Sequence, residues 1–134
     1  MIYSYELEKQ LLAGLLKDPQ SLIEISNFIS HKDFFSEASP LHATIFRVIK
    51  QSVDAGEEVD NIILAQRVNE VGLSFEGNIN PADYIKSLSM RAVPSGNLIK
   101  TCKELKKYSI RREIVESSEL IAEKMKAIAP ESSY

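Results

Sequence analysis

Residues 92–128 read "AVPSGNLIKTCKELKKYSIRREIVESSELIAEKMKAI". After Pro94 and Gly96 no proline or glycine interrupts the chain before Pro130, so the composition predicts one helix from Ser95 to Ala129. At 1.5 Å per residue that helix is about 50 Å long. The chain before it, folded compactly, has a radius of gyration of only about 12–13 Å, so the helix overshoots its own domain. Leu98, Cys102 and Leu105 form one stripe, expected to face back onto the globular part. Beyond Lys106 and Lys107 the apolar positions move. Ile110, Ile114, Ile121, Met125 and Ile128 follow heptad-like spacing with Ser117 and Ser118 between them, the pattern of a seam that packs along another helix. A row of exposed aliphatics needs a partner. This helix is expected to dock.

Working upstream, the chain breaks into short helices with legible ends. Ser4 precedes "YELEKQLLAGLLK", where Leu7, Leu11 and Leu15 recur every four residues and Leu12 and Leu16 widen the apolar face. In "DPQSLIEISNFI", Asp18 can cap and Pro19 takes the first helical position, where a missing N–H costs nothing. Leu22, Ile25, Phe28 and Ile29 form the expected buried stripe. "SPLHATIFRVIKQSVDAG" repeats the device with Ser39 and Pro40, points Leu41, Ile45, Val48, Ile49 and Val53 inward, and stops at Gly56. "DNIILAQRVNEVG" starts at Asp60 and ends at Gly72, and "NPADYIKSL" uses Asn80 and Pro81 as cap and first residue. Residues 73–80, "LSFEGNIN", are the longest expected loop. No segment alternates with period two over a useful length. The expected fold is all-α, a compact head of about five short helices over residues 1–92 followed by one long helix over 93–134.

With 134 residues, 44% hydrophobic and 26% charged, the chain has an ordinary globular composition, enough for one core. No apolar run approaches the roughly 20 residues that span a bilayer, so no membrane partner is expected. "MIYSYELEKQ" lacks a basic stretch followed by an apolar one, which predicts no export signal. The single cysteine, Cys102, excludes an internal disulfide and suits a reducing compartment. The expected location is the cytoplasm.

The net charge of −3 argues weakly against nucleic acid as the main partner, but it hides a pattern. Residues 1–85 hold 13 acidic and 6 basic side chains. Residues 86–112 hold Lys86, Arg91, Lys100, Lys103, Lys106, Lys107, Arg111 and Arg112 against Glu104 alone. Two readings stand: a solvated helix face, or an electrostatic surface for a protein or nucleic-acid partner.

Motifs for chemistry are missing. The chain has no GxxxxGK[ST] phosphate loop, no GxGxxG, no HExxH, no CxxC and no GxSxG. His31 and His42 stand eleven apart with no nearby cysteine, which argues against zinc. Asp33 and Glu37 at i, i+4, and Glu57, Glu58 and Asp60 after Gly56, are carboxylate pairs capable of acid–base work. Helix capping and dipole compensation explain them more simply. Cys102 reads as a small core hydrophobe. Arg111 and Arg112 suit a surface ion pair with Glu116 better than an arginine finger. No catalytic, cofactor or metal residue is expected in this segment.

One series of local matches goes further. "LEKQLLAGLLKDP", "DFF", "LHATIF", "GEEVD", "DYIKSL", "PSGN" and "RREI" follow in order. Together they resemble the N-terminal domain of DnaB-type replicative DNA helicases, bacterial or phage, over almost the whole chain. Thr101 stands where that family often carries Tyr, and "EGNINPADY" lacks the paired glycines common before the Tyr. The resemblance implies that Leu11, Leu15, Phe34, Phe35, Ile45 and Phe46 are core, with His42 buried beside them, and that Val59 and Asp60 set the start of the fourth helix. It implies that the long helix is the first arm of a helical hairpin whose second arm is absent from this chain, as is the ATPase domain.

In the family, hairpins of neighbouring subunits pack together, and six N-terminal domains form a collar on the ATPase ring that receives primase and, in some systems, the helicase loader. The expected function is therefore that of a non-catalytic collar domain of a hexameric, ATP-dependent helicase. ATP and Mg²⁺ would be bound by the parent protein, and single-stranded DNA would be engaged through it. Ile110, Ile114, Ile121, Met125 and Ile128 would form the subunit interface. Lys100, Lys103, Lys106, Lys107, Arg111 and Arg112 would offer a surface to a partner or DNA. Two alternatives remain at this point: the helicase-binding C-terminal domain of a bacterial primase, which resembles the same fold, and a helical DNA-binding module using residues 86–112.

Overall fold

The computed structural model describes residues 2–71, 79–93 and 98–132. Six α-helices follow in order: α1 (Tyr5–Lys17), α2 (Leu22–Ile25), α3 (Leu41–Asp54), α4 (Asn61–Glu70), α5 (Pro81–Ser89) and α6 (Leu98–Ser132). Two 3-10 turns, Pro19–Ser21 and His31–Asp33, flank α2. There is no strand among the described residues. The protein is all-α, with a compact head and one long helix.

Capping chemistry explains where these helices begin and end. The Ser4 hydroxyl accepts from Leu7 N–H at 3.3 Å, Asp60 accepts from Ile62 and Ile63 N–H at 2.7 and 3.2 Å, and Asn80 accepts from Ala82 N–H at 2.8 Å ahead of Pro81. Each satisfies donors that a helix start leaves without partners. The end of α3 is a Schellman turn. Gly56 N–H bonds Val53 O at 3.0 Å and Glu57 N–H bonds Ser52 O at 2.9 Å. Gly56 itself sits at φ 71°, a conformation that a side chain resists. Ser39 accepts from Leu41 N–H at 3.2 Å, so α3 starts one residue later than its proline suggests.

The expected second helix is shorter than its pattern. Asp18 makes no backbone cap. Its carboxylate instead accepts from the Ser21 hydroxyl at 2.9 Å. The chain is α-helical only through Ile25, after which Phe28 and Ile29 N–H both turn back onto Ile25 O. That turn keeps Ile29 in the core but leaves Phe28 37% exposed, contrary to the expected buried stripe.

The core forms around α1, which packs against α3, α5 and α6. Leu11, Leu12, Ala13 and Leu15 are therefore all buried, on more than one face of the helix. Phe46 meets Phe34 with ring centroids 5.2 Å apart, and Ile45 and Ile49 are buried beside them. α4 lies against α3 and α5. A Cβ at Gly14 would lie 2.5 Å from Leu98 Cδ1, so the missing side chain lets the start of α6 come close to α1.

The long helix runs Leu98–Ser132, past the expected end at Ala129 and through Pro130. Its expected start at Ser95 and the expected end of the fourth helix at Gly72 lie outside the described residues, as does most of the 73–80 loop. Thr101, Cys102, Leu105 and Ser109 are buried against the head. From Glu113 to Ile128 every residue is exposed, about 24 Å of helix.

Candidate functional site

The root of the arm is held by a carboxylate. Ser30 and Asp33 form a capping box around the second 3-10 turn, with Ser30 N–H donating to Asp33 Oδ2 at 2.8 Å. The other oxygen, Oδ1, accepts from Ser109 Oγ at 2.7 Å and Lys106 Nζ at 3.0 Å, both on α6. One turn on, Arg112 donates to Ile2 O at 2.7 Å and Asp33 O at 2.6 Å, and its guanidinium lies 5.6 Å from the centre of the Phe35 ring. Phe35 stacks on Tyr3 at 4.4 Å. It is therefore half-buried in an aromatic layer under the arm, not in the core as expected. Asp33 and Glu37 do not share a helix face, because the chain leaves the 3-10 turn at Phe34. Arg112 turns to the head's carbonyls, and no Arg112–Glu116 ion pair forms among the described residues.

A second buried carboxylate braces the head. Glu8 is fully buried on α1, where it occupies the same stripe as Leu12 and Leu15. It accepts from Phe35 N–H at 2.9 Å and pairs with His42 Nδ1 at 2.8 Å. His42 Nε2 in turn meets the Tyr84 hydroxyl. With Glu8 as acceptor, the assignment that satisfies both contacts has Nδ1–H donating to it and Nε2 accepting the phenol proton. Burial first, and the Glu8 charge second, push the Tyr84 phenol up to about 12. The shift runs against activation, because a phenol held protonated is a poor nucleophile or base at neutral pH. The relay ties α1, α3 and α5 together, so His42 is a hydrogen-bonded core residue. It lines a groove of about 450 Å³ with Tyr5, Lys9, Ser39, Leu41, Ile79 and Tyr84.

The remaining polar candidates fall into structural places. Glu57 pairs with Arg67 at 2.6 Å and Asp60 caps α4. Cys102 is buried, and desolvation, then Asp33, pushes its thiol up to about 12. No group of three or more His, Cys, Asp or Glu side chains is placed to hold a metal among the described residues. No helix there is long and apolar enough to cross a membrane.

The arm itself is the conspicuous surface. Ile110, Ile114, Ile121, Met125 and Ile128 are all exposed, as are Val115 and Leu120. The six basic residues expected to form one patch separate. Lys106 and Arg112 are bound to the head, whereas Lys100, Lys103, Lys107 and Arg111 remain outside. Lys107 shares its charge with Glu104 at 2.9 Å, and Arg111 lies 4.9 Å from the centre of the Tyr108 ring. Sequence reasoning missed Glu8 as a buried anchor and Asp33 as the latch of the arm. A glutamate at i−4 and i−7 from buried leucines, and a Ser-x-x-Asp capping box, were the available signals.

The chain is thus an all-helical head with a long helix carrying exposed aliphatics beyond it. The sequence model of the DnaB-like helicase N-terminal domain matches residues 1–107, and the chain belongs to that family. It is 30% identical over 113 residues to the replicative DNA helicase DnaB of Buchnera aphidicola subsp. Baizongia pistaciae, a match covering 84% of this chain and 23% of that protein. The DnaB of Buchnera aphidicola subsp. Schizaphis graminum is 31% identical over 70 residues, 52% of this chain and 14% of that protein. The chain thus spans about a quarter or less of the relatives it matches. The crystal structure of the N-terminal domain of DnaB helicase from Mycobacterium tuberculosis has the same fold, at TM-score 0.82 and 19% identity, over 96% of this chain and 88% of that one.

Proposed function

We propose that this chain is the non-catalytic N-terminal collar domain of a hexameric replicative DNA helicase. In this reading it joins subunits through α6 and offers its collar to primase, the helicase loader or both. The supporting observation is the exposed aliphatic row on the part of α6 that the head does not reach. Family membership gives that row its context. The arm is held at its root by Asp33 and Arg112, so it projects in one direction and carries the seam to a neighbour.

ATP hydrolysis and the grip on single-stranded DNA belong, in this proposal, to the rest of the parent protein. The residues present here do not fit a nucleotide–Mg²⁺ site. They include no phosphate loop, and no acidic cluster among the described residues is placed to hold a metal. The head supplies a rigid base and the arm an adhesive face.

The test is the double substitution Ile114→Asp and Ile121→Asp in the full-length helicase. Both side chains are exposed here, so the head keeps its circular dichroism and melting temperature. Sedimentation shows hexamers replaced by smaller species. Hexamers unchanged in mass and stability would overturn the assembly role.

A further inference from the structure

Ahead of α1, residues 2–4 are neither helix nor strand, yet they reach the root of the arm. Phe35 provides the platform. Its N–H donates to the buried Glu8 carboxylate at 2.9 Å, and the Tyr3 ring lies almost parallel on it, with 4.4 Å between centroids and 9° between planes. Beside this stack the Ile2 carbonyl accepts from Arg112 Nη1 at 2.7 Å, while Nη2 of the same guanidinium donates to Asp33 O at 2.6 Å. Arg112 is only partly exposed and is the last residue before the exposed stretch 113–128. One side chain thus ties the N-terminal segment and the second 3-10 turn to the base of the free arm. α1 does not need residues 2 and 3 for its own start. The Ser4 hydroxyl caps Leu7 N–H, and Ser4 O accepts from Glu8 N–H at 3.2 Å.

We propose that residues 2 and 3 are a strap that sets the direction of the arm, with Tyr3 a positioning residue that acts through the Ile2 carbonyl on Arg112. Two bonds from separate nitrogens fix a guanidinium in its plane, whereas a single bond leaves it free to turn. With the strap unseated, the last firm anchor of α6 is Asp33 Oδ1, which holds Lys106 and Ser109. Ser109 lies about 4.5 Å nearer the head along the helix axis than Arg112. An isolated helix of the arm's length is marginal in water, so the position of its last anchor decides where bending and fraying begin. The strap's contacts are few and confined to two residues outside α1, so it can leave without unfolding the head. Seated, it presents the seam at one angle before any partner arrives, whatever that partner is.

The test uses the 134-residue chain with nitroxides at Gln51→Cys on α3 and Glu119→Cys on the arm, both exposed positions. Their distance distribution reports the spread of arm directions, and the buried Cys102 takes no label. Ile114→Asp and Ile121→Asp, present in every sample, keep a second chain from holding the arm. Tyr3→Ala and, separately, Arg112→Met each widen the distribution at least about twofold. Amide exchange rises at least about tenfold over residues 110–115 and stays within about twofold over residues 101–106, which the core and Asp33 still hold. Tyr3→Phe keeps the ring stack and leaves both readouts unchanged. Distributions of equal width in the parent and Tyr3→Ala chains overturn the inference, because Asp33 then sets the arm's direction without the strap. Exchange that rises equally over residues 101–106 or in α1 also overturns it, because Tyr3 then supports the head and not the arm. The assembly role fails separately, by full-length hexamers that ignore the two seam substitutions.

Discussion

Phe46 is 1% exposed, and its ring is packed on Phe34. Removing it leaves a void that neighbouring side chains fill only in part, so Phe46→Ala costs the head about 3–5 kcal/mol, read by urea unfolding. Tyr84 carries a pH dependence. Burial holds its folded pKa at about 12, above the 10.0 of a free phenol, so the phenol contributes stability fully below pH 10, and that contribution is lost as pH rises from 10 to about 12. Tyr84→Phe removes that component, and the difference in melting temperature between the two proteins narrows across the window. A difference that stays constant would contradict the account. Cys102, also held near 12 by burial, stays unlabelled by a thiol reagent at pH 8 until the protein unfolds. The burial of Phe46 and Cys102 follows from their positions on apolar stripes. The leucine stripe marked the face Glu8 lies on, but only the fold settled its burial, because a carboxylate enters a core only where donors from distant segments converge on it. Those donors, Phe35 N–H and His42 Nδ1, lie 27 and 34 residues away.

The helices show the same division. Caps at Ser4, Asp60 and Asn80 and the stop at Gly56 involve neighbours within a few residues, and all four positions serve as their sequence predicts. The second helix does not. Its apolar spacing extends to Ile29, but the turn after Ile25 swings Phe28 outward, and the chain goes on to set Asp33 as a latch on α6. That latch is a testable property of the arm. Asp33→Ala leaves Lys106 and Ser109 without their shared acceptor and costs about 2–3 kcal/mol. The loss appears as faster amide exchange from Thr101 to Arg112, while α3 and α4 keep their protection. Uniform loss across all helices would show that the carboxylate holds the whole head and not the arm's root.

The molecule as a whole is a body with a lever. Residues 113–128 are all exposed, so ending the chain after Arg112 leaves the head's melting temperature within about 2 °C of the intact chain. A larger drop would mean that the distal arm supports the body it extends from.

Sequence alone determined the helical class, the caps at Ser4, Asp60 and Asn80, the aliphatic core and the exposed apolar row on the arm, because each depends on spacing along one helix or on a turn a few residues long. Only tertiary structure decided which polar groups face inward. Lys106 and Arg112 read like their basic neighbours in the chain, but contact with Asp33 and Ile2, more than 70 residues away, draws them to the head. That leaves Lys100, Lys103, Lys107 and Arg111 on the open face. Charge is a property of the residue. Which partner neutralises it depends on what the fold brings within about 3 Å.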